Sequence, residues 1–161
     1  MDFAEILALP HVDTHTAVVT AGPDAVRRAL VEVLDTSFSG RGAAGFARLV
    51  GCADRGAGGP RPLAEGSAVV GFRVAAAEPD RGLALVGRHR FSSYALVFRL
   101  DTAGTGRTRV QAQTRARFPG PAGAVYRGLV IGTGGHRIAV QRMLSAVRRR
   151  AEGGRPGRSG R

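Results

Sequence analysis

The sequence predicts an α+β domain in which a curved antiparallel sheet wraps around a long C-terminal helix, with two short helices after the first strand. Three observations carry this expectation. The segment Arg107 to Phe118 alternates almost without error, with Thr108, Val110, Ala112, Thr114, Ala116 and Phe118 on one face and Arg107, Arg109, Gln111, Gln113, Arg115 and Arg117 on the other. Successive strand side chains point to opposite faces, so this strand has one covered and one wet side. Two further strand-like pieces precede it from Leu83 onward, in series and joined by short turns. After Phe118-Pro119-Gly120-Pro121 the apolar period changes from that of a strand to that of a helix.

The elements follow in order. Val12 to Thr20 is rich in β-branched residues and reads as a strand. Thr20 or Gly22 then caps a helix, Pro23 fits its first position, and Asp24 favours the positive end of the dipole. Val26, Ala29, Leu30, Val33 and Leu34 form its apolar stripe. Thr36 to Gly45 breaks that helix, and Phe46 to Cys52 reads as a short second one. Asp54 to Pro62 is a loop by composition.

Four strands come next. Ala68 to Ala76 places Val70, Phe72 and Val74 on one face. Pro79-Asp80-Arg81-Gly82 is a turn. Leu83 to Phe91 sets Leu83, Leu85, Gly87, His89 and Phe91 against Arg88 and Arg90. Ser93 to Asp101 carries Tyr94, Leu96, Phe98 and Leu100 on one face, and Ala103 to Gly106 closes a hairpin to the Arg107 strand. In the final helix Val125, Leu129, His136, Val140, Leu144 and Val147 lie close to one stripe, and the run Gly132-Thr133-Gly134-Gly135 bends or splits it.

The chain has 161 residues, which suits one domain spanning 1–152 with a basic, disordered tail over 153–161 made of Gly, Arg, Pro, Ser. One cysteine, Cys52, excludes a disulfide framework and a thiolate metal site within the chain. Neither a signal peptide nor a membrane-spanning run is read, so the expected setting is the cytoplasm. The net charge is +12 and every basic residue is arginine. GC-rich coding bias explains arginine in place of lysine, but not the excess over acids.

The order strand, helix, short helix, meander, long helix resembles the helix-grip fold of the SRPBCC superfamily, which includes START, Bet v 1-like and polyketide cyclase domains. The resemblance covers about Val12 to Ala151. It is carried by the opening VVTAGPDAVRRAL and by the block FPGPAGAVYRGLVIGTGGHRIAVQRML. The latter, with its Phe-Pro strand end, Tyr126 and His136, is similar to a bacterial branch of unknown function. The resemblance implies an apolar cavity between sheet and helix. Many such domains bind lipids, polyketides or other hydrophobic molecules, and a few catalyse cyclisation or dehydration.

The residues expected around that space are Phe72, Leu85, His89, Tyr94, Phe98, Thr114, Phe118, Tyr126 and His136. Among them His89, Tyr94 and His136 are the candidates for chemistry, because two imidazoles and a phenol can polarise a carbonyl or move a proton near neutral pH. The bland alternative for each is a hydrogen-bonded wall residue, and for Tyr126 simple packing. His11, Asp13 and His15 share one strand face and form a possible metal half-site, but their spacing is wide for one ion, so no metal is expected. No cofactor is expected either. Gly40 to Gly45 matches GxGxxG literally but follows a helix, where a dinucleotide site needs a strand. Cys52 reads as a buried structural cysteine.

Three functions remain open. The first is a binding domain for a small hydrophobic or aromatic molecule. The second is a cyclase or dehydratase on the same fold using His89, Tyr94 and His136. The third is a basic protein docking on nucleic acid or an acidic partner through Arg107, Arg109, Arg115, Arg117 and the tail, although no aromatic residues are interleaved there to stack on bases.

Overall fold

The computed structural model describes residues 3–78 and 82–153. Strand β1 (His11–Val19) is followed by helices α2 (Pro23–Ser37) and α3 (Arg41–Val50), and a short helix α1 (Phe3–Ala8) precedes it. The meander consists of β2 (Ala68–Val69), β3 (Phe72–Glu78), β4 (Gly82–His89), β5 (Ser92–Thr102) and β6 (Thr108–Arg117). The chain ends in α4 (Gly120–Arg127), a π-turn over Gly128–Gly132, and α5 (Gly135–Gly153). Among the described residues the six strands form one antiparallel sheet in the order β1-β6-β5-β4-β3-β2. The expected turn at Pro79 to Gly82, apart from Gly82, and the expected tail beyond Gly153 lie outside the described residues.

The alternation in β6 sets the inner face. Val110 and Ala112 are fully buried, and Thr114 and Ala116 nearly so. Leu96 pairs with Thr114, Phe98 with Ala112 and Leu85 with Leu96, so β4, β5 and β6 present their apolar sets to one side. On that side α2 and α5 cross the sheet. Val26, Leu30 and Leu34 of α2 join Val140, Leu144 and Val147 of α5 and Leu85, Phe98 and Val110 of the sheet in the main core. Pro23 occupies the first turn of α2 as the sequence predicts. Bulges between His11 and Asp13 and between Val74 and Ala76 bend the outer strands.

Several expectations are corrected. The segment Ala68 to Ala76 is not one strand: Val69 pairs with Phe72 across a tight turn at Gly71, whose φ of +85° favours glycine. Val125 and Leu129 do not continue the stripe of α5 and are 66% and 63% exposed. The π-turn and the break after it put α4 and α5 out of helical phase. His11 does not share the face of Asp13 and His15. The bulge sets it opposite the outward Arg115, and its Nε2 lies 2.9 Å from the Thr14 hydroxyl.

The outer face of the sheet is also not uniformly wet. Ile6 of α1 and Leu9 just after it cover Ala84, Ala95 and Val97 from outside. Arg115 fixes this lid by donating to the carbonyls of Leu7 and Leu9 at 2.7 and 2.9 Å. These are carbonyls at the C-terminal end of α1, where a helix leaves acceptors unpaired.

Candidate functional site

A cavity of about 280 Å³ lies between the sheet and the C-terminal helices. Its walls are mainly apolar and come from five places: Phe38 after α2, Phe46 and Ala47 of α3, the inner face of β5 and β6, Tyr126 of α4, and Val130, Ile131, Val140 and Met143 on the closing helices. No residue of α2 borders this space, whereas residues of α3, α4 and α5 do.

Of the residues expected around this space, Phe72, His89, Tyr94, Thr114, Phe118, Tyr126 and His136 border the cavity. Leu85 and Phe98 do not. They lie on the correct face but farther along the strands, where α2 and α5 close on the sheet and leave them 0% and 1% exposed in the main core. Phe38, Phe46, Cys52 and Met143 border the cavity without having been expected there. Phe38 sits in a segment that reads as a helix break, and its aromatic character was the only signal available.

An aromatic series runs along one wall. Phe38 meets Phe72 at 4.8 Å between ring centroids, Phe72 meets Tyr94 at 5.1 Å, and Tyr94 meets His89 at 5.3 Å. His89 then meets Tyr126 edge-on at 4.6 Å, and Tyr126 stacks on Phe91 at 5.6 Å. Gly87, which faces Tyr94 across the β4–β5 pair, makes this series possible. A Cβ there would fall 2.3 Å from the Gly71 carbonyl oxygen and 2.4 Å from the Tyr94 ring. Tyr94 therefore lies over a bare backbone and donates its hydroxyl proton to the Gly71 carbonyl at 2.7 Å.

Cys52 Sγ stands 3.8 Å from the same hydroxyl. Burial, followed by the nearby Cys52, pushes the Tyr94 phenol well above its ordinary value, and burial also raises that of Tyr126. Both phenols stay protonated at neutral pH; Tyr94 is a hydrogen-bonding wall residue and Tyr126 meets its neighbours through ring contacts. His89 accepts the Phe91 backbone N–H at Nδ1, 3.1 Å away, and burial lowers its pKa.

His136 also borders the cavity, and it meets polar groups of β1 and β6 that sequence spacing did not bring together. His136, at the start of α5, places Nε2 2.8 Å from the Thr114 hydroxyl and 3.6 Å from Asp13 Oδ1. Asp13 Oδ2 is 3.1 Å from His15 Nε2. Burial raises the Asp13 pKa, but the Thr114 hydroxyl, His15 and the His136 charge outweigh it, and the carboxyl lies below its ordinary range. Burial lowers the His136 pKa, and Asp13 offsets only part of that. Among the described residues no group of three His, Cys, Asp or Glu side chains could hold a metal ion. Nor is any described helix long and apolar enough to cross a membrane.

No family model matches the sequence, and no curated protein does. Solved structures do resemble the fold. The Bet v 1-like protein Ara h 8.0201 superposes with a TM-score of 0.53 at 10% identity, covering 86% of this chain and 95% of that one. A conserved protein from Geobacillus kaustophilus gives 0.53 at 14% identity over 86% and 93%. The hypothetical protein jhp0584 from Helicobacter pylori gives 0.56 at 12% identity over 84% of each chain. The six-stranded antiparallel sheet, the paired helices after β1 and the closing C-terminal helix are those of the same architecture. The chain has the helix-grip fold that these solved structures share.

Proposed function

We propose that this chain binds a small, mostly apolar, aromatic-sized molecule between its sheet and its C-terminal helix. The observation that carries the reading is the cavity of about 280 Å³ with its aromatic wall and its few convergent polar groups, His89, Tyr94, Thr114 and His136. Small-molecule sites have this form. A dry engineered cavity of ~150 Å³ accepts benzene, so this one suits a molecule of roughly two fused rings. The fold adds support by analogy only, because one fold hosts many functions. The same reading takes the cytoplasm as the setting, supported by the single buried thiol.

The test is binding of naphthalene, followed by saturation-transfer NMR, in the wild type and in Ala116→Phe and Ala139→Phe. Ala116 on β6 and Ala139 on α5 both border the cavity, so each phenylalanine fills it from one side. Saturable binding by the wild type and its loss in a folded filled variant support the reading. Absence of binding by the wild type, or binding unchanged in both filled variants, overturns it. Native mass spectrometry of the freshly purified protein would reveal a co-purifying molecule directly.

A further inference from the structure

The two imidazoles bordering the cavity are fixed in opposite settings. At His89, a backbone amide donates to Nδ1 at 3.1 Å. An amide N–H can only donate, so Nδ1 carries the lone pair and the ring proton sits on Nε2, free to donate. Tyr94 does not compete as a donor at this end, because its hydroxyl proton is committed to the Gly71 carbonyl.

At His136 the ring proton is already used. Nε2 faces the Thr114 hydroxyl at 2.8 Å and Asp13 Oδ1 at 3.6 Å. Asp13 Oδ1 is buried without a hydrogen-bond partner of its own. A carboxylate only accepts, and a lone pair on Nε2 would point at it, so the proton belongs on Nε2 and Thr114 accepts it. Nδ1 of His136 keeps its lone pair and has no hydrogen-bond partner among the described residues. Burial holds both rings neutral at ordinary pH, which preserves one free donor and one free acceptor.

We infer that the cavity selects a ligand about two rings long, with a hydrogen-bond acceptor such as a carbonyl directed at His89 and a donor such as a phenolic or enolic hydroxyl directed at His136. This rests on the reading of the cavity as a small-molecule site and adds the polarity of its occupant. A ligand with two acceptors leaves the His136 end unmatched, and one with two donors leaves the His89 end unmatched. A buried unmatched group weakens binding more than a matched one strengthens it.

Four probes decide it: naphthalene, acetylnaphthalene, naphthol, and an acetylnaphthol with the two groups at opposite ends of the ring pair. In the wild type each group should tighten binding by about two- to tenfold, and the acetylnaphthol should show both gains. In His89→Phe the acetyl gain should vanish while the hydroxyl gain stays, and His136→Phe should show the reverse. If naphthalene binds and neither group adds affinity, the inference is wrong and the cavity reading stands. If naphthalene itself does not bind, the cavity reading falls with it. The wild-type series alone decides between these outcomes even where a variant fails to fold. Where both variants fold, loss of both gains in each would overturn the assignment of ends.

Discussion

Asp13 Oδ1 on the first strand lies 3.6 Å from His136 Nε2 on the closing helix, so a carboxylate of β1 stands behind an imidazole that borders the cavity. Asp13 supports the charged form of His136 while burial opposes it. Removing the carboxylate in Asp13→Asn should therefore move the His136 titration to still lower pH. NMR titration of the imidazole resonances would show this, and an unchanged or raised midpoint would mean that the two groups are not coupled.

The same groups set a pH dependence of stability. His89 and His136 titrate below the ordinary 6.5 in the fold because burial disfavours the imidazolium. On acidification the unfolded chain takes up these protons first. Their contribution is complete above about pH 6.5 and is lost as pH falls through the folded values. Asp13, held below its ordinary 3.8, acts in the same direction at more acid pH. The melting temperature should fall between about pH 8 and about pH 5, and a His89→Phe/His136→Phe variant should flatten the slope. A melting temperature that rises on acidification over that range would contradict the burial of both rings.

Gly87→Ala should destabilise the protein by about 1–3 kcal/mol, the usual range for overpacking. The added methyl would meet the Gly71 carbonyl oxygen and the Tyr94 ring, both fixed in place by the Tyr94–Gly71 hydrogen bond. Urea unfolding measures the loss. A loss under about 0.5 kcal/mol, the range of ordinary surface substitutions, would show that the strand pair yields to the methyl.

Two phenylalanines on the predicted inner set should behave differently. Phe98 is 1% exposed in the main core, and Phe98→Ala should cost about 3–5 kcal/mol. Phe118 is only half-buried at the cavity, so Phe118→Ala should weaken probe binding with a smaller loss of stability. Equal destabilisation by the two would place Phe118 in the core instead.

The lid on the outer face should also be measurable. Ile6 is fully buried over Ala84, Ala95 and Val97, so Ile6→Ala should cost about 2–5 kcal/mol. Hydrogen exchange at the amides of Ala84 and Val97 should rise with it. A change under about 0.5 kcal/mol, the range of ordinary surface substitutions, would show that α1 adds nothing to the sheet.

What the sequence made legible was whatever depends on local period. The inner set of β6, the Pro23 start of α2 and the break in the last helix all follow from neighbouring residues. Misreadings arose where one residue shifts the phase. The bulge turns His11 outward, the Gly71 turn divides β2 from β3, and the π-turn releases Val125 and Leu129 to solvent. The meeting of Asp13 and His136 had no local signature, because it depends on β1 pairing with β6 and on α5 passing over both. A six-residue helix such as α1 is too short for its periodicity to stand out from a loop.

The sheet order has a consequence for how the chain assembles. Strands β3 to β6 join through near-neighbour hairpins, whereas β1 must find β6 across most of the chain, with His15 opposite Ala112. Closing so long a loop is slow, and its reward comes only when the distant strands meet. Phe72, His89 and Tyr94 lie on the meander itself, whereas Asp13 and His136 come from β1 and α5 at either end of it. The contact between Asp13 and His136 thus needs both β1 and α5, and no fragment missing either one can form it.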